Sequence, residues 1–476
     1  MDSQLVCSEV IAKSGIVFGT SGARGLVKDF TPNVNAAFAL AFISAIDNEF
    51  NFDTVAIAID NRPSSYAIAQ ACAEALKQHG LNVVYYGVVP TPALAYKAMQ
   101  DNMPCIMVTG SHIPFDRNGL KFYRPDGEIT KVDELTILAS NTVFTVLPEN
   151  LAELTLDTAA SESYIQRYTS LFSADTLKGK KIGIYEHSSA GRDIYKVLFE
   201  QLGAEVVSLG RSNEFVPIDT EAVSDEDKQR ALDWSKEFSF DAIFSTDGDG
   251  DRPLVADENG SWLRGDILGL LCSQLLNIEA LAVPVSCNTA IEKSKNFKVV
   301  ERTKIGSPYV IEELLKLKKH NIRVAGFEAN GGYILATDII INGKLIKALP
   351  TRDAILPFIM LIQSQKITTQ VNSLPKRYTA SSKLSNCSNE NGSLILAYAK
   401  SNIHEFINSL DESSSNFEKL DVTDGLRIIF REKVIHLRMS GNAPELRCYV
   451  EASNQIIAAD LANFILEKIK CNFLNA

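Results

Sequence analysis

The 476-residue chain has no apolar run of the roughly 18 residues needed to cross a bilayer, and no signal-peptide pattern at its start. Neither export nor membrane insertion is expected, and the cytoplasm is the default location. It also lacks a Lys/Arg-rich stripe: 47 basic residues stand against 58 acidic ones, a formal charge of -11. That balance argues against a nucleic-acid partner, so any bound anion must be held by local basic groups. The eight cysteines are scattered without a C-x-x-C pair and read as reduced core thiols. Six histidines include no H-x-x-x-H pair, which speaks against zinc. The G-x-S-x-G elbow of hydrolases and the G-x-x-x-x-G-K-[ST] loop of nucleotide-binding proteins are both absent, so neither a hydrolase triad nor an ATP donor is implied.

What is present is the composition of an ordinary globular protein, 46% hydrophobic and 22% charged. At about 150 residues per domain the length predicts three or four domains. Three segments repeat one order of elements: a strand, a helix, a second strand, then a third strand ending in an unusual loop. The first runs from Val55 to Cys105–Thr109 and delivers Gly110-Ser111-His112. The second runs from Lys181 to Asp241–Phe244 and delivers an aspartate loop, and the third runs from Leu281 to Ile322–Ala325 and delivers Gly326 to Gly332. Strands alternating with helices predict β-α-β units with ligands at the carboxyl ends of strands. The expected fold is α/β: three successive α/β domains with mixed, largely parallel sheets, plus a smaller α+β C-terminal domain, around a central cleft. The expected boundaries are 1–150, 151–265, 266–375 and 376–476. In the last domain, polar Ser381 to Gly392 is expected to precede a helix, and Asp411 to Asn416 reads as a solvated loop.

The aspartate loop, Thr246-Asp247-Gly248-Asp249-Gly250-Asp251-Arg252-Pro253, places three carboxylates at alternate positions between two apolar strands. Alternate side chains share a face and the glycines permit a close turn, so three hard oxygens can reach one divalent cation. Asp247, Asp249, Asp251 and Glu258 also match EF-hand positions, but that loop needs Gly where Arg252 stands and helices on its flanks. Three further loops are economical in the same way. Ser111 follows an apolar strand and precedes Asn118-Gly119-Leu120-Lys121; Arg24 lies among small residues in Phe18 to Gly25; Arg438-Met439-Ser440-Gly441-Asn442-Ala443-Pro444 forms a plausible anion nest. Each of these three, taken alone, also fits an ordinary turn.

Together the loops resemble those of the α-D-phosphohexomutases, the family of phosphoglucomutases, phosphomannomutases and phosphoglucosamine mutases, over essentially the whole chain. The resemblance implies that Ser111 is phosphorylated, and that Asp247, Asp249 and Asp251 hold Mg²⁺ with a phosphoseryl oxygen. It implies that Arg24, His112, Lys121 and Arg252 surround the phosphoserine. It implies further that Glu328 and Asn330 bind sugar hydroxyls, and that Arg438, Ser440, Gly441 and Asn442 grip the non-reacting phosphate. The implied substrates are hexose phosphates, with hexose 1,6-bisphosphate as intermediate and activator, in a monomer or homodimer. The Phe327-Glu-Ala-Asn-Gly-Gly332 loop looks most like that of bacterial phosphomannomutases, which implies exchange of mannose 1- and 6-phosphates; glucose phosphates, or both sugars, are the alternative. A sugar-phosphate sensor and a metal-dependent phosphatase are the less favoured readings.

Two family histidines are replaced, by Gly332 and Ser307. The expected general base is therefore Lys121, its pKa lowered among cationic neighbours, with His112 as the other candidate. The fourth domain is expected to close over the cleft and exclude water.

Overall fold

The computed structural model describes residues 4–19, 22–410, 417–440 and 444–474. Its first three units share one strand order. In the first, Thr54–Ile59 lies between Asn82–Val88 and Cys105–Val108, parallel to both, and Arg117–Arg124 returns antiparallel beside Cys105–Val108. Lys181–Tyr185, Glu205–Leu209, Ala242–Thr246 and Pro253–Ala256 repeat this order, as do Ala280–Pro284, Val299–Thr303, Val324–Phe327 and Tyr333–Leu335. Each sheet is thus parallel through three strands and becomes mixed at the fourth. The central strands are apolar and buried on both faces, as covered parallel strands must be. Because the fourth strand reverses direction, the three special loops all sit at the carboxyl end of the third strand of their sheet.

One apolar core runs through all three units, from Tyr86 and Leu94 through Leu198 and Phe244 to Phe327 and Phe358. Phe358 touches Phe199 and Phe244 at ring-centroid distances of 5.0 and 4.7 Å. The C-terminal domain has its own core, including Leu426, Leu437, Cys448 and Ile465. Its antiparallel sheet runs Tyr378–Ser385, Glu445–Ala452, Val434–Met439, Leu426–Ile429, Lys419–Asp421. Within the polar stretch, Ser381 to Ser385 is the end of an edge strand paired with Glu445–Ala452; its exposed side tolerates Ser and Lys. The helix expected after it is Asn389–Ser401. Asp411 to Asn416 lies outside the described residues. All eight cysteines are free; seven are buried, whereas Cys471 is exposed rather than in the core.

The C-terminal domain is tied to the third unit by few groups. Thr289 donates through its N–H (2.8 Å) and its hydroxyl to the Glu451 carboxylate. Asn288 Nδ2 donates to Arg377 O and Thr379 Oγ1, and Ile305 N–H donates to Asp424 Oδ2 at 3.1 Å. A cavity of about 770 Å³ opens between the two, lined by Thr289, Arg302, Arg377 and Arg427 and, among the described residues, by none from the loops.

Candidate active site

Ser111 is fully buried with φ 55°, a left-handed conformation that a non-glycine residue keeps only when its surroundings enforce it. Arg62 supplies much of that constraint. Its Nη1 donates to Pro114 O and Arg117 O, and its Nη2 donates to Ser111 O (2.9 Å) and Ile113 O. Nε binds Asp60 Oδ2 at 3.1 Å, and the guanidinium lies over the Phe215 ring, 3.9 Å from its centroid. Asp60 also accepts from the Thr109 hydroxyl, whose oxygen accepts from Ser111 N–H at 2.8 Å. One Arg–Asp pair therefore fixes the whole Ser111 loop.

The aspartate loop closes against it. Ser111 Oγ donates to Asp247 Oδ2 at 2.6 Å. Gly248 permits the approach, since a Cβ there would lie 2.7 Å from Ser111 O; Gly250 turns the chain at φ +73° where Tyr195 and Pro90 leave no room for a side chain. The ligand oxygens of Asp247, Asp249 and Asp251 lie within 4.8 Å of one another, all fully buried. Asp249 Oδ2 accepts from Thr91 Oγ1 and Lys121 Nζ, both at 2.5 Å. Asp251 Oδ2 accepts from Lys121 Nζ at 2.7 Å and pairs with Arg352 Nη2 at 2.8 Å. The Oδ1 atoms of Asp249 and Asp251 are buried without a hydrogen-bond partner. Hard, uncommitted carboxylate oxygens this close together fit a divalent cation of the oxygen-seeking kind.

Electrostatics separates the three carboxyls. Burial, reinforced by Asp249 and Asp251, pushes Asp247 well above the usual carboxylate range. Burial is the largest single influence on the other two as well, but Lys121 with Thr91 and Arg352 at Asp249, and Arg352 with Lys121 and Arg252 at Asp251, together outweigh it, and both are held below that range. Lys121 thus stands between two carboxylates, not among cations as the sequence reading assumed.

Around this cluster lie basic groups. Arg252 N–H donates to Asp247 Oδ1 at 3.2 Å, and its Nη1 lies 2.9 Å from His112 Nδ1. Burial first, then Arg252, lowers His112 to about 4, so its Nδ1 accepts from Arg252. Arg24 Nε and Nη2 are buried without hydrogen-bond partners, and burial and Arg252 pull that guanidinium down to about 10. An uncommitted guanidinium beside a second one is the arrangement an anion with several oxygens satisfies.

In the third loop, Glu328 Oε1 pairs with Arg352 Nη1 at 3.3 Å. Asn330 Oδ1 accepts from Gly332 N–H at 3.0 Å and Asn330 O from Thr220 Oγ1 at 2.6 Å, so the second unit braces the loop. Ser307 donates to half-buried Glu128 at 3.0 Å. On the C-terminal domain, Arg438 Nε lies 3.5 Å from Asp424 Oδ1, and Ser440 N–H donates to Glu445 O at 2.9 Å. Gly441, Asn442 and Ala443, like Thr20 and Ser21, lie outside the described residues. Sequence reading did not single out Arg62, Thr91, Glu128 or Arg352. Arg62 and Thr91 follow the carboxyl ends of two parallel strands, a position that flags them; Arg352, inside an antiparallel strand, carries no such signal.

Four family models match in order: phosphoglucomutase/phosphomannomutase alpha/beta/alpha domain I at residues 15–142, domain II at 162–260, domain III at 264–380, and the C-terminal domain at 386–468. A Salmonella muenchen protein named phosphomannomutase is 58% identical over 466 residues, 97% of each chain. One from Sinorhizobium fredii, of the same name, is 40% identical over 94% of this chain and 97% of its own. The crystal structure of a putative phosphomannomutase from Thermus thermophilus superposes with a TM-score of 0.74 at 21% identity, over 96% of this chain and 98% of that one. A family protein from Burkholderia thailandensis gives 0.73 at 19%, over 95% and 97%. At those identities the structural likeness concerns the fold.

Proposed function

The chain belongs to the phosphoglucomutase/phosphomannomutase family, and on that premise we propose that it interconverts mannose 1-phosphate and mannose 6-phosphate through phosphorylated Ser111. The observation that carries this reading is the 2.6 Å contact of Ser111 Oγ with Asp247, beside two aspartates whose Oδ1 atoms have no hydrogen-bond partner. The names of the two relatives at 58% and 40% identity support mannose as the sugar.

In the proposed cycle the Oγ–P bond of phosphoserine breaks as a hydroxyl oxygen of the monophosphate bonds to phosphorus. The resulting hexose 1,6-bisphosphate turns around, and its other phosphoryl group returns to Ser111. Free bisphosphate would re-prime an enzyme that has lost its phosphate. Arg24 and Arg252 offset the charge on the transferring oxygens. Asp247, Asp249 and Asp251 would hold Mg²⁺ together with a phosphoseryl oxygen, and the ion would supply Lewis-acid polarisation of the phosphoryl group. Lys121, once its ammonium has left Asp249 and Asp251 and released a proton to solvent, takes the hydroxyl proton on its free amine; His112, whose ring is neutral, is the alternative acceptor.

Glu328 and the Asn330 amide bind sugar hydroxyls in either orientation. Arg438, Ser440, Gly441 and Asn442 grip the phosphate that is not reacting. The slender junction at Thr289 and Glu451 suits a C-terminal domain, residues 376–476, that closes on units 1–150, 151–265 and 266–375 as a lid. We place the enzyme in the cytoplasm as a monomer or homodimer. Glucose and mannose phosphates differ only in the C2 hydroxyl, so activity on both sugars is the second reading.

Phosphorus NMR tests the proposal: mannose 1-phosphate with Mg²⁺ and a trace of hexose 1,6-bisphosphate should yield mannose 6-phosphate. Inorganic phosphate as the main product would point to a phosphatase and refute it. The ratio of kcat/KM for mannose 1-phosphate and glucose 1-phosphate sets the preference.

A further inference from the structure

Arg352 is 1% exposed and stands at the meeting of three units. Its strand, Leu349–Asp353, lies beside Tyr333–Leu335, the strand that leaves the Glu328 loop, and packs against Gly127–Glu128 of the first unit. The next residue, Asp353, is anchored by the hydroxyls of Tyr164 and Tyr168, which fixes the strand on its other flank. From this position Arg352 reaches two functional loops at once: Nη2 is 2.8 Å from Asp251 Oδ2, and Nη1 is 3.3 Å from Glu328 Oε1. Burial pulls the guanidinium down, but Asp251, Glu128 and Glu328 together push it well above its usual range, so its charge is permanent.

The position of the fork matters more than the charge. Arg352 and Lys121 share Oδ2 of Asp251, while Oδ1 has no hydrogen-bond partner and only Arg252 Nε at 3.7 Å, so the carboxylate is held with one oxygen presented to the cluster. The same guanidinium holds Glu328 at the opening of the sugar loop. Its stem fills the space over Gly332, where an added Cβ would lie 2.4 Å from Arg352 Cδ. A lysine has the charge but not the fork: here two separate nitrogens meet Asp251 and Glu328, whereas a single ammonium nitrogen would have to lie within reach of both.

We infer that Arg352 is a positioning residue that couples the two loops: it orients Asp251 for the divalent cation and Glu328 for the sugar. The inference rests on the sugar-phosphate reading above. Metal affinity and sugar affinity are then linked through one side chain, and a change at Arg352 weakens both.

The test uses the full chain and Arg352→Lys. Mg²⁺ binding, measured by titration calorimetry without sugar, is expected to weaken about tenfold to a hundredfold, with KM for mannose 1-phosphate rising by a similar factor and kcat changing less. Arg352→Ala should regain activity with added guanidinium and not with equal ammonium. Thermal midpoints are followed alongside. Wild-type Mg²⁺ affinity and KM in Arg352→Lys would overturn the inference, as would a loss confined to the thermal midpoint, or equal rescue by the two cations. The calorimetric arm is independent of turnover: a wild-type protein that binds Mg²⁺ and shows no mutase activity would refute the proposed function, while the Arg352 coupling would still be decided by the metal affinities.

Discussion

Ser111 Oγ donates to Asp247 Oδ2 at 2.6 Å, joining two residues 136 positions apart from different units of the chain. Asp247 is the member of the triad that burial and its two neighbours push upward, so its ionised form is unfavourable in the protein alone. Asp247→Asn should therefore raise the thermal midpoint of the metal-free protein, abolish the rise that Mg²⁺ gives the wild type, and lower kcat at least about a hundredfold. Scanning calorimetry with and without Mg²⁺ checks the first two, and an initial-rate assay the third.

Arg62 fixes the Ser111 loop through four carbonyl oxygens. Arg62→Met removes those donors and leaves buried Asp60 without its cation, a change expected to cost about 3–5 kcal/mol in denaturant unfolding. Arg62→Lys restores the charge without the fork, so stability should recover more than turnover does.

At Gly332 an added methyl group would lie 2.4 Å from Cδ and 2.8 Å from Cγ of Arg352, so the clamped side chain must move to admit it. Gly332→Ala is expected to keep the fold and to raise KM for the sugar phosphate, by displacing the guanidinium from Glu328. Circular dichroism and steady-state kinetics measure the two effects; an unchanged KM would show that the loop tolerates the shift.

His187 and His436 are buried, and burial lowers each to about 4; their Nε2 atoms lie 2.9 Å from Thr246 O and 2.6 Å from Asp424 O. The unfolded chain takes up protons at both sites below about pH 6.5, whereas the folded protein does so only near 4. Their contribution to stability is thus complete above pH 6.5 and is lost as the pH falls from there to 4, by up to about 1.4 kcal/mol per pH unit for each residue. Unfolding free energies across that range should show a shallower slope in His436→Gln than in the wild type.

The special loops are legible in the sequence because their chemistry is contiguous: Asp247 to Asp251 with intervening glycines, and Ser111 at the end of an apolar strand. The repeated strand order is legible for the same reason, since apolar runs and turn residues are local signals. Partnership between units is not local. Thr91 reaches Asp249 across 158 positions and Lys121 across 128, so the sequence placed Lys121 near the cluster but gave it the wrong neighbours. Arg352 is illegible for a further reason, because Thr351-Arg352-Asp353 is a polar run in sequence and is nonetheless buried. The edge strand Tyr378–Ser385 is hidden by its own exposure, which replaces the apolar pattern with Ser and Lys.

In the proposed cycle the phosphoryl group on Ser111 passes to the sugar and is replaced from it. A single turnover with isotopically labelled phosphoserine enzyme and unlabelled mannose 1-phosphate tests this most directly. Label is expected in hexose 1,6-bisphosphate and mannose 6-phosphate, with Ser111 left phosphorylated by unlabelled phosphate. Label released as inorganic phosphate, or retained on Ser111 while product forms, would contradict it.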